Sequence, residues 1–226
     1  MTLRWPDEIL RPQNVAFDIA ARTLAAPSSV SGVTQVVATD AGVWKATYGN
    51  VLISKRDQVN TFRGISVLLE GRLGSILVPL CRAYQPVPEG AIEAGAYDTV
   101  PHSDLAFFSD GTGYVIERVI DVVAGANAAV RAISIQITIV VAGTIEPGQH
   151  FSIGERLYRV RTVNYTSSTV ATLTFRPPLR EAVTAGERLE FEDPVCRMRL
   201  ATDDAMDLEL SLRRFAQPTV MFIEDI

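Results

Sequence analysis

The sequence predicts a mainly β protein: a sandwich or barrel core flanked by one α-helix, with a second, small β-barrel module. Three observations lead there. Apolar and polar residues alternate along most of the chain at the period of half-buried strands. In the C-terminal half, turn signals separate these runs about every eight to twelve residues, the spacing of a small barrel. A single segment, from about Lys55 to Glu70, repeats instead at three and four residues, the period of a helix.

The elements follow in order. NVAFDIAARTL alternates over Val15, Phe17 and Ile19, and the turn-rich APSSVSG ends it. VTQVVATDAGVWKATYGNVLIS predicts two short strands with a turn at Asp40-Ala41-Gly42. In the helical segment, Ser54 and Asp57 have the spacing of a capping box. Val59, Phe62, Ile65 and Leu69 make its apolar stripe, and Gly71 suits the left-handed position after it. SILVPLC, Ser75 to Cys81, is a continuous apolar run expected to be a strand buried on both faces.

From Arg82 to Gly113, prolines and glycines mix with aromatic residues, which predicts a long loop and favours an intersubunit contact over a disordered excursion. Val and Ile then dominate, and Ile133, Ile135, Ile137 and Ile139 alternate with Ser134, Gln136 and Thr138. HFSIG, ERLYRVRTVNYT, TVATLTFRP and ERLEFEDP form a meander. CRMRLA, DLELSLRR and PTVMFIEDI predict three more strands. This pattern divides the chain into a core domain of residues 1–112 with 195–226 and an inserted barrel module of residues 113–194.

With 226 residues, 47% of them hydrophobic, the chain has material for a well-packed core. A net charge of -5 argues against a nucleic-acid-binding surface, which requires clustered cations. Lys45 and Lys55 are the only lysines, so nineteen of the 21 basic residues are arginine. That bias suits planar ion pairs at interfaces, or else reflects a GC-rich genome. Neither a signal peptide nor a membrane span is expected, and synthesis in the cytoplasm follows.

No catalytic pattern stands out. His102 and His150 have no acidic or thiol neighbour at ligand spacing, and Cys81 and Cys196 read as small buried apolar residues. Asp203, Asp204, Asp207 and Glu209 lack the glycine and the closing glutamate of a calcium loop, so a solvated turn is expected. Ser109 to Gly113 lacks the phosphate-loop lysine. Pro177-Pro178 ends one strand and Gly186 turns the chain back. FRPPLREAVTAGERLEFEDP is therefore a barrel corner, with Arg180 and Glu181 available for pairing between subunits. The expectation is no enzyme activity, no cofactor and no metal.

Several stretches together resemble one family. They are Trp5-Pro6, FDIAARTLAAPSSVSG with TQVV and DAGVW, RDQVNTFRGISVLLEGRLG running into ILVPLC, GQHFSIGERLYRVRTV, and VATLTFRPPLREAVTAGERLEFEDPVCRMRL. This set is similar to the distal tail, or tail-hub, proteins of long non-contractile-tailed phages and related gene transfer agents. The resemblance implies a tail-tube-like core with one flanking helix, and an inserted barrel that meets neighbouring minor tail proteins. It also implies a homo-oligomeric ring, typically a hexamer, between the tail tube and the baseplate or tail-tip hub of a virion. DNA would only pass through the lumen, and a mildly acidic wall would repel it. The alternative is a carbohydrate- or receptor-binding β-module presenting Tyr84, Tyr97, Phe107 and Phe108, which are also the candidate contacts of a ring.

Overall fold

The computed structural model describes residues 2–25, 32, 36–80, 84–88, 99–100, 106, 109, 114–115, 120–212 and 215–226. The fold is mainly β with one helix, as expected. The chain divides into two compact units, one made of Met1–Cys81 with Val195–Ile226 and the other of Arg82–Pro194. The boundary thus falls at Arg82 where the sequence pattern suggested 113. The physical reason is local: Gly143 N–H donates to Pro86 O at 2.8 Å, Gln149 Nε2 donates to Tyr84 O at 3.1 Å, and Val87 packs on the barrel core.

The first unit holds a six-stranded sheet. Its strands are β1 (Leu3–Arg4), β2 (Asn14–Ala25), β3 (Val36–Gly49), β4 (Ile76–Pro79), β12 (Val195–Leu200) and β13 (Val220–Glu224), in the order β1-β4-β12-β13-β3-β2. β4 is buried along most of its length, as its unbroken apolar run requires, between parallel β1 and antiparallel β12. An aromatic cluster fills the buried side. Trp5, Tyr48 and Phe222 meet edge to face at 5.5–5.7 Å, and Phe17 joins through Trp44 and Tyr48. Its polar atoms are satisfied: Trp5 Nε1 donates to Leu10 O at 3.0 Å, and Tyr48 Oη donates to Pro79 O. Glu224 is 3% exposed, and its Oε2 accepts from Trp44 N–H at 3.0 Å, just past the last β13–β3 rung at Ile223 and Lys45. The carboxylate thus serves the backbone where the ladder stops.

β2 and β3 pair along their whole length, so the two short strands expected around Asp40-Ala41-Gly42 are one long strand with a bulge. Between the Ala20–Val43 and Arg22–Thr39 rungs, two steps on β2 face four on β3, and the turn residues supply the excess. Gly42 is required there because a Cβ would stand 2.6 Å from Ile19 Cγ2. Of the alternation Val15, Phe17 and Ile19, Phe17 is buried, Ile19 is half-buried and Val15 is 42% exposed.

The helix, α1 (Arg56–Leu69), buries Phe62, Ile65 and Leu69; Val59 is half-buried. Its cap differs from the expected Ser54–Asp57 pair. Gln58 Oε1 reaches back to accept from Ser54 N–H at 2.9 Å and Lys55 N–H at 3.1 Å, so Lys55 is the N-cap. At the other end Glu70 is the C-cap, left-handed at φ 47°, and Gly71, the residue expected in a left-handed position, follows it at φ 66°. DLELSLRR forms no strand: its described part is an irregular connection between β12 and β13.

In the second unit β7 (Asp121–Ala124), β8 (Ser134–Val141), β9 (His150–Ile153), β10 (Arg156–Tyr165) and β11 (Val170–Arg176) form a curled sheet in the order β7-β8-β11-β10-β9. Ile135, Ile137 and Ile139 point inward as their alternation requires, while Ile133 precedes the strand and is 44% exposed. The stretch after Pro177-Pro178 closes the barrel. Ala128 and Val183 exchange two backbone hydrogen bonds of 2.9 Å, and Gly186, at φ 85°, turns the chain. Leu189 N–H then bonds Val122 O on β7 at 2.9 Å, while Ser152 of β9 exchanges two bonds with Glu190. Both sheet edges are thereby covered by one segment, which removes the exposed ladder groups that an open sheet presents. Phe191 anchors the closure, stacking on Phe151 at 5.3 Å in full burial. In the expected loop of 82–113, the described β5 (Thr99–Val100) pairs with β6 (Tyr114–Val115).

Phe191→Ala is expected to cost about 3–5 kcal/mol in chemical denaturation, and a cost under about 1 kcal/mol would contradict closure by packing. Glu224→Leu should cost about 1–3 kcal/mol by stranding the Trp44 N–H. Glu224→Gln, which keeps an acceptor, should recover most of it.

Candidate functional site

The described residues contain no group of three or more His, Cys, Asp and Glu side chains placed to hold a metal ion. Among them, too, no helix is long and apolar enough to cross a membrane. The chemistry that stands out is that of surfaces.

Tyr84 is held outward: it is 94% exposed, its backbone sits at φ 67°, and its carbonyl is anchored by Gln149. Tyr97, Phe107, Phe108, His102 and Cys81 lie outside the described residues. Glu181 accepts from Arg156 Nε at 3.1 Å within the same chain while remaining largely exposed, and Arg180 N–H donates to the buried Tyr158 Oη at 3.1 Å. The corner expected to pair between subunits is thus tied into its own barrel at these atoms. His150 lies opposite Arg159 on the neighbouring strand, and Arg159 Nε donates to His150 Nε2 at 2.8 Å. That bond requires the imidazole nitrogen to carry a lone pair, so it belongs to neutral His150. Cys196 is buried, as expected, and its thiol donates to Arg197 O at 3.8 Å.

The acidic turn is solvated. Asp203, Asp204, Asp207 and Glu209 are all exposed. Asp203 grips Arg72, Nε to Oδ1 at 3.1 Å and Nη2 to Oδ2 at 3.4 Å, and also accepts from Arg72 N–H at 3.2 Å. The hydrogen bond from the Arg72 side chain, then that from its backbone, hold the Asp203 carboxyl below its ordinary pKa. Beside this pair a groove of about 400 Å³ runs past Leu73, Arg199, Ala201 and Ile223. On the solvent-facing side of the sheet Arg199 and Lys45 flank Ile223, each its register partner on one neighbouring strand. Neither cation forms an ion pair among the described residues, and the sequence reading picked out neither.

The edges of the first sheet differ in kind. β1 is two residues long, but β2 runs for twelve residues and, among the described residues, pairs only with β3. β13 supports β3 only from Lys45 to Tyr48, so the rungs from Arg22–Thr39 to Ala25–Val36 form a two-stranded ribbon past the end of the sheet. At its far end Val36 is 58% exposed. An isolated two-stranded ribbon is marginal in water, and a long open edge is a template for another chain. Neither a family model nor a curated protein matches the sequence.

A carboxyl NMR titration should place the Asp203 midpoint below the ordinary carboxylate value and return it there in Arg72→Ala. Because this pKa is depressed in the folded state, the contact's contribution to stability is complete above the unfolded pKa. It is lost as pH falls through the lower, folded value.

Proposed function

We propose that the protein is a structural subunit of a ring at the distal end of a phage tail, joining the tail tube to the tail-tip hub. The observation that carries this reading is the β2–β3 ribbon, whose twelve-residue β2 strand pairs, among the described residues, with β3 alone. Such an edge aggregates unless the fold covers it or a partner does, and a closed ring covers every copy's edge with the next copy. The resemblance in sequence to distal tail proteins points the same way. The barrel inserted in sequence between β4 and β12 supports it too, because the 183–190 segment bridges both β7 and β9, and edges so occupied can meet a different neighbour without competing for strand pairing.

The function in this reading is architectural. Partners are further copies of this chain, the tail-tube protein and the hub proteins. DNA crosses the lumen without binding, in keeping with a net charge of -5. Location in the virion follows from assembly and not from a membrane signal.

Light scattering coupled to size exclusion over a concentration series tests the reading. The expected result is a discrete species of about six times the 24.6 kDa chain. A monomer throughout the series sinks the proposal.

A further inference from the structure

The outer face of α1 carries apolar surface that the fold of its own chain does not bury. Phe62, Ile65 and Leu69 are buried, whereas Asn60, Arg63, Gly64, Val67 and Leu68 are exposed. Val67 is 73% exposed and Leu68 67%. Leu73, which follows closely because Gly74 N–H bonds back to Leu69 O at 2.8 Å, is 86% exposed. Single exposed aliphatic side chains are ordinary, but three gathered at one helix end form a patch. Gly64 precedes Val67 and Leu68 by three and four residues, which puts it on their side of the helix. A glycine inside a helix weakens it, and the fold of this chain does not call for this one, since a Cβ there would meet no atom within 4 Å. What the glycine supplies is a notch in the outer face, where another backbone can approach closely.

Two charges bracket the notch and patch. Arg63 lies four residues before Val67, and Glu70, the C-cap, three after it. Both are exposed, and neither side chain makes a hydrogen bond or ion pair among the described residues. The other charges nearby stand apart from this arrangement: Arg56 and Asp57 are at the opposite end of α1, and Arg72 is engaged by Asp203. One cation and one anion placed about evenly on either side of Val67 are complementary to the same pair running the opposite way.

We propose that the outer face of α1 pairs with the same face of a second copy of this chain, antiparallel about a two-fold axis near Val67. The arrangement brings Val67 against Val67, Leu68 of each copy over Gly64 of the other, and Arg63 of each copy beside Glu70 of the other. Because the contact is isologous, it differs from the contacts between successive copies in a ring and joins copies, or whole rings, in twos. It goes beyond the ring reading and does not rest on it.

Charge reversal tests the pairing by light scattering. Arg63→Glu and Glu70→Arg each set like charges together and should weaken it at least about tenfold, and the double variant should restore it. Gly64→Ala separates docking from folding. In dilute protein its melting temperature should rise by about 2 °C, while pairing weakens because the notch is filled. Cross-linking gives a further readout. With Cys81→Ser and Cys196→Ala as background, Arg63→Cys mixed with Glu70→Cys should form a disulfide-linked dimer faster than either protein alone, since like positions in the pair are about 10 Å apart along the axis. A double reversal that pairs no better than the single ones, a Gly64→Ala protein that pairs like wild type, or a mixture that cross-links no faster than its components overturns the inference. A ring-sized species that never doubles at high concentration also overturns it and leaves the ring reading standing. A species of twice the chain mass with nothing larger supports it and sinks the ring reading, and a wild-type monomer at every concentration overturns both.

Discussion

The pairing of β4 with β12 is the constraint on which the rest of the structure depends. β4 is an unbroken apolar run buried at three of its four residues, and it lies against β12 from Pro79–Val195 to Ile76–Met198. These partners are separated by the whole second unit, so their pairing is a non-local contact of the kind that makes β proteins slow to form. It sets the register of β12, hence of β13 and β3, and it places the two ends of the inserted unit on adjacent strands. Tyr48, whose hydroxyl bonds Pro79 O, links that pairing to the aromatic cluster on the buried side.

The two units handle unsatisfied backbone differently. The barrel solves the problem internally, because one segment bonds to both β7 and β9. The sheet solves it only in part. Glu224 serves the Trp44 N–H where β13 ends, but among the described residues β2 pairs with β3 alone, also beyond Thr39. Long strand edges are usually blunted with a charge, a proline or a bulge. Here the register shifts at the Asp40–Gly42 bulge, and Asp18 places a carboxylate on the edge strand.

Much of this was legible in the sequence, for physical reasons that can be traced. The unbroken apolar run of β4, the three-and-four spacing of Phe62, Ile65 and Leu69, and the isoleucine alternation of β8 each encode burial directly, and each is buried as read. What failed was context. Asp40-Ala41-Gly42 has the composition of a turn, but pairing with β2 on both sides turned it into a bulge. Gln58 took the back-reaching role expected of Asp57, and Lys55 the N-cap position expected of Ser54, because the longer Gln58 side chain reaches two backbone donors. The contact of Glu181 with Arg156, 25 residues before it, was not foreseen, because only the barrel corner brings the two side by side. Arg199 and Lys45 became visible as a site only when register placed them on either side of Ile223.

The position of the insertion has an evolutionary reading. Because Pro79 and Val195 are paired neighbours, whatever is spliced between them begins and ends at hairpin spacing. A folded module with adjacent ends then adds little loop-closure entropy to its host and imposes no change of register on the sheet. The barrel therefore behaves as a cassette in a hairpin turn. It can be exchanged for a different module, enlarged or lost while the host sheet keeps its strand order, and its outer face is free to diverge at a rate that the buried side of the sheet is not.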